Sequence, residues 1–228
     1  MGQTGFFVNF FVALFALIDP IGNVPLFAAA TIGASAAGRR WVAAYIAAFA
    51  FVFMGFFWFT GVSLLQFFGI SLPAFRIAGG VILFMLGLNM TRDDFTAAFA
   101  DAAEAGEGEA PQAYARKRFE RLVVPFAMPL LIGPGAISTA VIYAGEARQY
   151  GLTGLAMGLG AIAAVCVVTM LCFWVSPLIS RLLGKIGMTI VVRVLGLILC
   201  ALAVQFVIAG MAEVTHGVVR SSVATPYK

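Results

Sequence analysis

Charge is what this sequence has least of. Charged residues make up 11% of its 228 positions, where a water-soluble domain carries about a quarter. Together with 62% hydrophobic residues and a mean hydropathy of +1.03, that shortage excludes a soluble globular protein. It also leaves no room for a separate soluble domain. Histidine is nearly missing: His216 is alone, in the polar tail after the last apolar segment. No zinc spacing exists, no metal or cofactor is expected, and Cys166, Cys172 and Cys200 all lie in apolar segments. They read as small buried hydrophobes rather than disulfide partners or ligands. The net charge of +4 is no nucleic-acid footprint, because the basic residues sit in loops, where they orient helices. No Lys or Arg precedes Arg39, and Asp19-Pro20 interrupts the first apolar stretch. The amino-terminal segment is therefore expected to be an uncleaved first span rather than a signal peptide.

A membrane-crossing helix needs about 20 apolar residues. Six segments meet that length: roughly Phe6–Ala30, Trp41–Gln66, Leu72–Met90, Leu122–Ala144, Leu152–Ser176 and Thr189–Met211. The expected fold is an all-α polytopic membrane protein with one membrane domain over residues 1–228. The gaps are short except for 91–121, which begins acidic and ends basic (Arg116, Lys117, Arg118, Arg121); it reads as a flexible, solvated linker. The gaps after spans one, three and five hold nine Lys and Arg, and the opposite side holds three (Arg148, Arg220 and Lys228). The positive-inside rule then puts the linker in the cytoplasm and both termini outside.

Two of the apolar segments are broken. The first break is Asp19-Pro20-Ile21-Gly22-Asn23-Val24-Pro25, and the second is Pro129-Leu130-Leu131-Ile132-Gly133-Pro134-Gly135. Lipid offers no water to an unpaired amide, so irregular backbone survives there only against protein or a wet cavity. An offset of 111 residues superposes Phe15-Ala16 on Phe126-Ala127 and Ile21-Gly22 on Ile132-Gly133; an offset of 117 superposes Arg76-x-x-Gly79 on Arg193-x-x-Gly196. Each half is thus a broken span, an unbroken span and a span headed by Arg-x-x-Gly: repeat one over about 6–90, repeat two over about 122–211, with a polar tail over 212–228. Three spans per half make the second half enter from the opposite side. Inverted repeats with a break at matching places point to a transporter binding site.

The residue types at the breaks define a candidate site. Asp19 is the only carboxylate well inside a span, and such residues face a cavity or a partner. Asp before Pro is also a good helix-capping pair, and the two roles are compatible: a carboxylate that starts a half-helix also stands at the wall of the site. Gly22, Gly133 and Gly135 let backbone approach a ligand, and half-helix amino ends suit a carboxylate; the competing role for these glycines is close helix packing. Pro20, Pro25, Pro129 and Pro134 favour breaks. Asn23, Ser138 and Thr139 are neutral hydrogen-bonding groups for the same site. Arg76 and Arg193 occupy mirror positions and are assigned as gates that close opposite mouths, against the alternative of snorkelling to headgroups.

At these residues the chain resembles the MarC family of bacterial inner-membrane proteins, also grouped as neutral amino acid transporters. The resemblance rests on Asp19-Pro20-Ile21-Gly22-Asn23-Val24-Pro25-Leu26-Phe27, on Phe68-Gly69-Ile70-Ser71-Leu72-Pro73-Ala74-Phe75-Arg76-Ile77-Ala78-Gly79-Gly80, and on Pro129-Leu130-Leu131-Ile132-Gly133-Pro134-Gly135-Ala136-Ile137. It covers nearly the whole chain in order. It implies six spans, a distant relation to LysE-type amino acid exporters, an inner-membrane location with periplasmic termini, and proton- or ion-linked movement of small neutral amino acids such as glycine or alanine.

The expected function is therefore a secondary transporter of small zwitterions, working in a lipid bilayer with H+ or Na+ as the coupling ion and with a homo-oligomer allowed. Alternatives are a passive channel or small-anion pathway and a non-transporting scaffold. An intramembrane enzyme needs a nucleophile–base pair or a metal cluster; one buried Asp with no membrane His argues against it.

Overall fold

The computed structural model describes residues 3–31, 33–92, 110–122, 127–128 and 131–224. Described residues form helices only, apart from turns and short links. α1 is Gln3–Ile18, α2 Val24–Ala30, α3 Ala36–Phe67, α4 Leu72–Met90, α5 Pro111–Leu122 and α6 Pro134–Ala147; a 3-10 turn, Arg148–Tyr150, leads into α7, Gly151–Ala224. Gly184 breaks α7 into two arms, with φ 61° and ψ −174°, a backbone region open essentially to glycine alone.

Among the described residues, four helical segments are long and apolar enough to cross a membrane: Ala36–Phe67, Leu72–Met90, Pro134–Leu178 and Thr189–Thr215. The apolar α1 has 16 residues and is shorter than a full span. α4 has the bounds expected from its apolar run. α3 exceeds its run at both ends: Ser35 Oγ accepts the Gly38 amide at 3.0 Å at the start, adding a turn before Trp41. At its end Ile70 N–H donates to Leu65 O at 2.8 Å while Gly69 takes φ 64°, the left-handed helix stop. Ser71 Oγ then caps α4 through the Ala74 amide at 3.3 Å.

The core forms where the buried stripe of α1, Phe6, Phe10, Leu14 and Ile18, faces inward at four-residue spacing. Phe10 stacks on Trp58 of α3 at 5.1 Å and on Tyr143 of α6 at 4.7 Å. Gly158, on the first arm of α7, lies directly under the Trp58 ring.

α4 runs antiparallel along the second arm of α7 through a seam of small residues. A methyl on Gly80 would stand 2.8 Å from Ala203 O, one on Gly87 2.7 Å from Gly196 O, and one on Gly210 2.9 Å from Pro73 O. The sequence spaces these residues by seven on both helices: 73, 80 and 87 against 196, 203 and 210. Seven residues are nearly two turns, so one face of each helix carries the whole seam. Helices in lipid gain their association from such close backbone approach.

The structure differs from the sequence expectation at the end of the linker. Residues 111–122 form a helix packed on α3 rather than a solvated tether: Phe119 contacts Tyr45 and Phe49 with centroids 5.9 and 5.8 Å away, and Arg118 is buried. The acidic part of the linker, 93–109, lies outside the described residues. Beyond Met211, α7 continues as helix to Ala224.

Candidate functional site

The first break is a compact piece of hydrogen-bonded backbone. α1 ends as Asp19 takes φ 44°, the one non-glycine residue with positive φ among those described; Asp and Asn tolerate this region better than other non-glycine residues. The Asp19 carboxylate folds back so that Oδ1 accepts the Gly22 amide at 3.0 Å. A Cβ at position 22 would overlap that carboxylate, so the cap needs glycine there. Asn23 ties the other side: its Nδ2 donates to Ile18 O at 2.8 Å and to Asp19 O at 3.1 Å. Carbonyls that α1 leaves open at its end thereby gain partners, while Asp19 itself is exposed rather than buried as its place in an apolar stretch led one to expect. Pro20 is buried, Pro25 sits in the first turn of α2, and all seven residues of α2 are buried.

The far end of α2 is held as tightly. Thr31 Oγ1 donates to Phe27 O at 2.8 Å, and Arg39 Nη2 donates to Thr31 O and Ala34 O, each at 3.4 Å. Arg118 of α5 donates through Nε to Ala30 O at 2.7 Å and through Nη2 to the same oxygen. A cation on the last carbonyls of a helix opposes the negative end of its dipole. Burial, reinforced by Arg121 and partly opposed by Tyr114, pulls the Arg118 guanidinium below its ordinary range.

A cavity of about 50 Å³ opens beside this break. Asp19, Gly22 and Asn23 give it a polar wall; Leu17, Leu26, Met90, Leu195, Ile198, Leu199 and Leu202 give it an apolar one. That volume admits a few waters or a very small solute. Its walls come from the break in the first half and from the second arm of α7, so both halves of the chain build it.

The second break is differently finished. Gly133 stands extended at the amino end of α6, φ −80° and ψ 169°, with no side-chain cap. Pro134 follows, its ring seated on Gly79 of α4. Residues 131–138 are all buried. Gly135 lies beneath the ring of Phe206 from the second arm of α7, where a Cβ would overlap it. One turn on, Ser138 is 0% exposed and its Oγ has no hydrogen-bond partner; Thr139 beside it is half-buried. Pro129 lies outside the described residues.

Of the residues singled out from sequence, the structure gathers Asp19, Gly22 and Asn23 at one cavity. It gathers Gly133, Pro134, Gly135 and Ser138 at a separate, covered place. Arg76 forms an ion pair with Glu213 on the second arm of α7. Arg193, exposed, lies twenty residues before Glu213 on that arm, about 30 Å along a helix and roughly one hydrocarbon thickness. Glu213 and Phe206 went unmarked in sequence, and Arg118 was marked only as part of a solvated basic run. Glu213 carried a signal, being the only carboxylate after Glu146.

Comparison with known proteins covers most of the chain. The model of the MarC family integral membrane proteins matches residues 4–215. A UPF0056 membrane protein of Buchnera aphidicola (Schizaphis graminum) is 32% identical over 91% of this chain and 92% of its own length. One from Aquifex aeolicus is 33% identical over 90% and 92%, and YhcE of Escherichia coli, also a UPF0056 membrane protein, is 29% identical over 92% and 94%. No solved structure matches. The family match over residues 4–215 and relatives more than 30% identical over about nine-tenths of the chain place it in the MarC family of integral membrane proteins.

Proposed function

We propose that the protein is a secondary transporter of small neutral amino acids, glycine- or alanine-like zwitterions, that alternates access between two inverted three-span repeats. The observation that carries this reading is the cavity at Asp19, Gly22 and Asn23, which sits at a break in one half and is walled by the last span of the other. A carrier needs its ligand at such a junction, because rocking one half against the other then exposes it to either side.

Packing supports the inverted relation. α2 crosses the first arm of α7, Phe27 stacking on Phe173 at 4.4 Å; in the corresponding place α6 crosses α3, with Val141 against Gly61. Pro134 rests on Gly79 of the Arg76-x-x-Gly79 motif; Asn23 shares a cavity with Leu195 and Leu199, which flank Gly196 of the Arg193 motif. The antiparallel α4/α7 seam lies between, where a two-fold axis would fall. In this cycle the substrate carboxylate meets the half-helix amides and its ammonium meets Asp19 or nearby carbonyls. Asp19 is the residue placed to carry a coupling proton, Na+ being the other ion the reading allows. Arg76 and Arg193 stand at opposite ends of the paired helices and act as gates, Arg76 through Glu213. The location is the bacterial inner membrane, with periplasmic termini and cytoplasmic 91–121. The chemistry is translocation, with no covalent step.

Counterflow of radiolabelled glycine and alanine in proteoliposomes tests this. Saturable exchange is expected, and in Asp19→Asn exchange persists while accumulation against a pH gradient is lost. Linear, non-saturable flux would replace the carrier with a passive pathway, and no flux from folded protein would remove amino acid transport.

A further inference from the structure

The two breaks differ in what covers them, and at the second the Phe206 ring covers Gly135. The Phe206 ring lies over Gly135 so closely that even a methyl there would overlap it. Gly133, Gly135 and Ser138 behind it are buried. Ser138 Oγ is sealed in without a hydrogen-bond partner, although such a group gains one wherever water or a ligand can reach it. Positions 135 and 138 share a face of α6, and helical side chains lean toward the amino end. The sealed hydroxyl thus stands one turn behind the covered glycine. At the first break the same neighbourhood is open: the 117-residue offset that aligns the Arg-x-x-Gly motifs aligns Phe206 with Asn89, next to Met90, which lines the cavity. Phe206 is only half-buried on an arm that is largely exposed to lipid, so a change of rotamer can carry its ring off α6.

We propose that Phe206 is a plug that closes the amino end of α6, and that its displacement lets water and a small carboxylate-bearing ligand reach Gly135 and Ser138. The proposal rests on the transport reading for its purpose, because it makes the present structure the state in which one break is open and the other shut. It adds an aromatic ring at the second break to the two arginines proposed as gates.

The test is chemical access to position 138. Ser138→Cys is made with Cys166, Cys172 and Cys200 replaced, and its modification by a small water-soluble methanethiosulfonate is timed in reconstituted vesicles. Slow modification is expected, rising about tenfold or more when Phe206→Ala is added. Phe206→Leu, which keeps apolar packing on the arm but shortens the cover, is expected to give a smaller rise, and it decides the matter if Phe206→Ala does not fold. Met90→Ala, at the other break, is expected to leave the rate unchanged. Equal rates with and without the Phe206 substitutions overturn the plug, as does the same rise with Met90→Ala, which reports general loosening. Labelling needs no transported solute. A failure of glycine exchange therefore leaves this result standing, and a failure of the labelling change leaves exchange standing.

Discussion

The two breaks solve one problem in different ways. Each interrupts an apolar stretch of sequence, where a stranded polar group is costly. The first does it with side chains: the Asp19 carboxylate on the Gly22 amide, and the Asn23 amide on the carbonyls of Ile18 and Asp19. The second does it with burial: an uncapped Gly133, a proline that has no amide to satisfy, and the Phe206 ring drawn over Gly135. The polar solution has a cavity beside it, and the residues of the apolar one are buried.

The largest expected effect comes from the seam that holds the breaks at their spacing. Gly87→Val pushes a branched side chain into Gly196 O and the Cys200 backbone, where a main chain cannot step aside. Overpacking of this kind costs ~1–3 kcal/mol or more. Loss of monodisperse protein, or a large fall in melting temperature in detergent, is expected; a fall no larger than that of Gly145→Val, where nothing lies within 4 Å, would break the seam.

Next is Asn23→Ala, which removes the two bonds that the Asn23 side chain makes at the first break. The Ile18 carbonyl loses a buried partner, and about 1–3 kcal/mol of stability goes with it. Ser138→Ala, at the second break, deletes a hydroxyl that has no partner and is expected to be neutral or slightly stabilising. Thermal unfolding of the pair sharpens the contrast between polar and apolar finish. Equal losses would erase it.

A smaller effect separates the two ends of α2. Arg118→Lys keeps the charge but loses the planar fork that donates twice to Ala30 O. A destabilisation of about 1 kcal/mol is expected, with proteolysis of the 91–121 linker quickened as α5 loosens. Unchanged proteolysis would mean that α5 is held by Tyr114 and Phe119 alone. Smallest is the Arg76–Glu213 pair: with Glu213 43% exposed, a double-mutant cycle on stability should give about 1 kcal/mol or less. Its larger mark is expected in transport, where Arg76→Ala makes flux leaky while binding persists. Unimpaired transport in both Arg76→Ala and Arg193→Ala would remove the gate role.

Much of the fold was legible because lipid enforces simple rules. Apolar runs gave the long helices, Leu72–Met90 to the residue, and the glycine–proline clusters marked the breaks because few other sequences end a helix there. What stayed hidden depends on which side chains meet. Arg118 sits in a charged run that reads as solvated, and only the packing of α5 on α3 delivers it to Ala30 O. Phe206 is one aromatic among apolar neighbours, so sequence gives no reason to prefer Gly135 over lipid as its partner. Glycines 80, 87, 196 and 210 are visible as small residues at seven-residue spacing, but that they face one another is a tertiary fact. Asp19 shows the middle case. Asp-Pro reads as the N-cap and first turn of a half-helix, but α2 begins only at Val24 after Asn23. The Asp19 carboxylate instead closes a turn on the Gly22 amide beside a cavity walled by Leu199 and Leu202.

The central claim is that the second half enters the membrane from the side opposite to the first, and sided labelling tests it directly. Gln3 opens the first half and Ala113 stands just before the second, and both are exposed. In intact cells, with native cysteines replaced, Gln3→Cys should react with an impermeant maleimide, and Ala113→Cys should react only after the membrane is opened. Reaction of both from the same face would make the halves parallel and end the inverted-repeat account of transport.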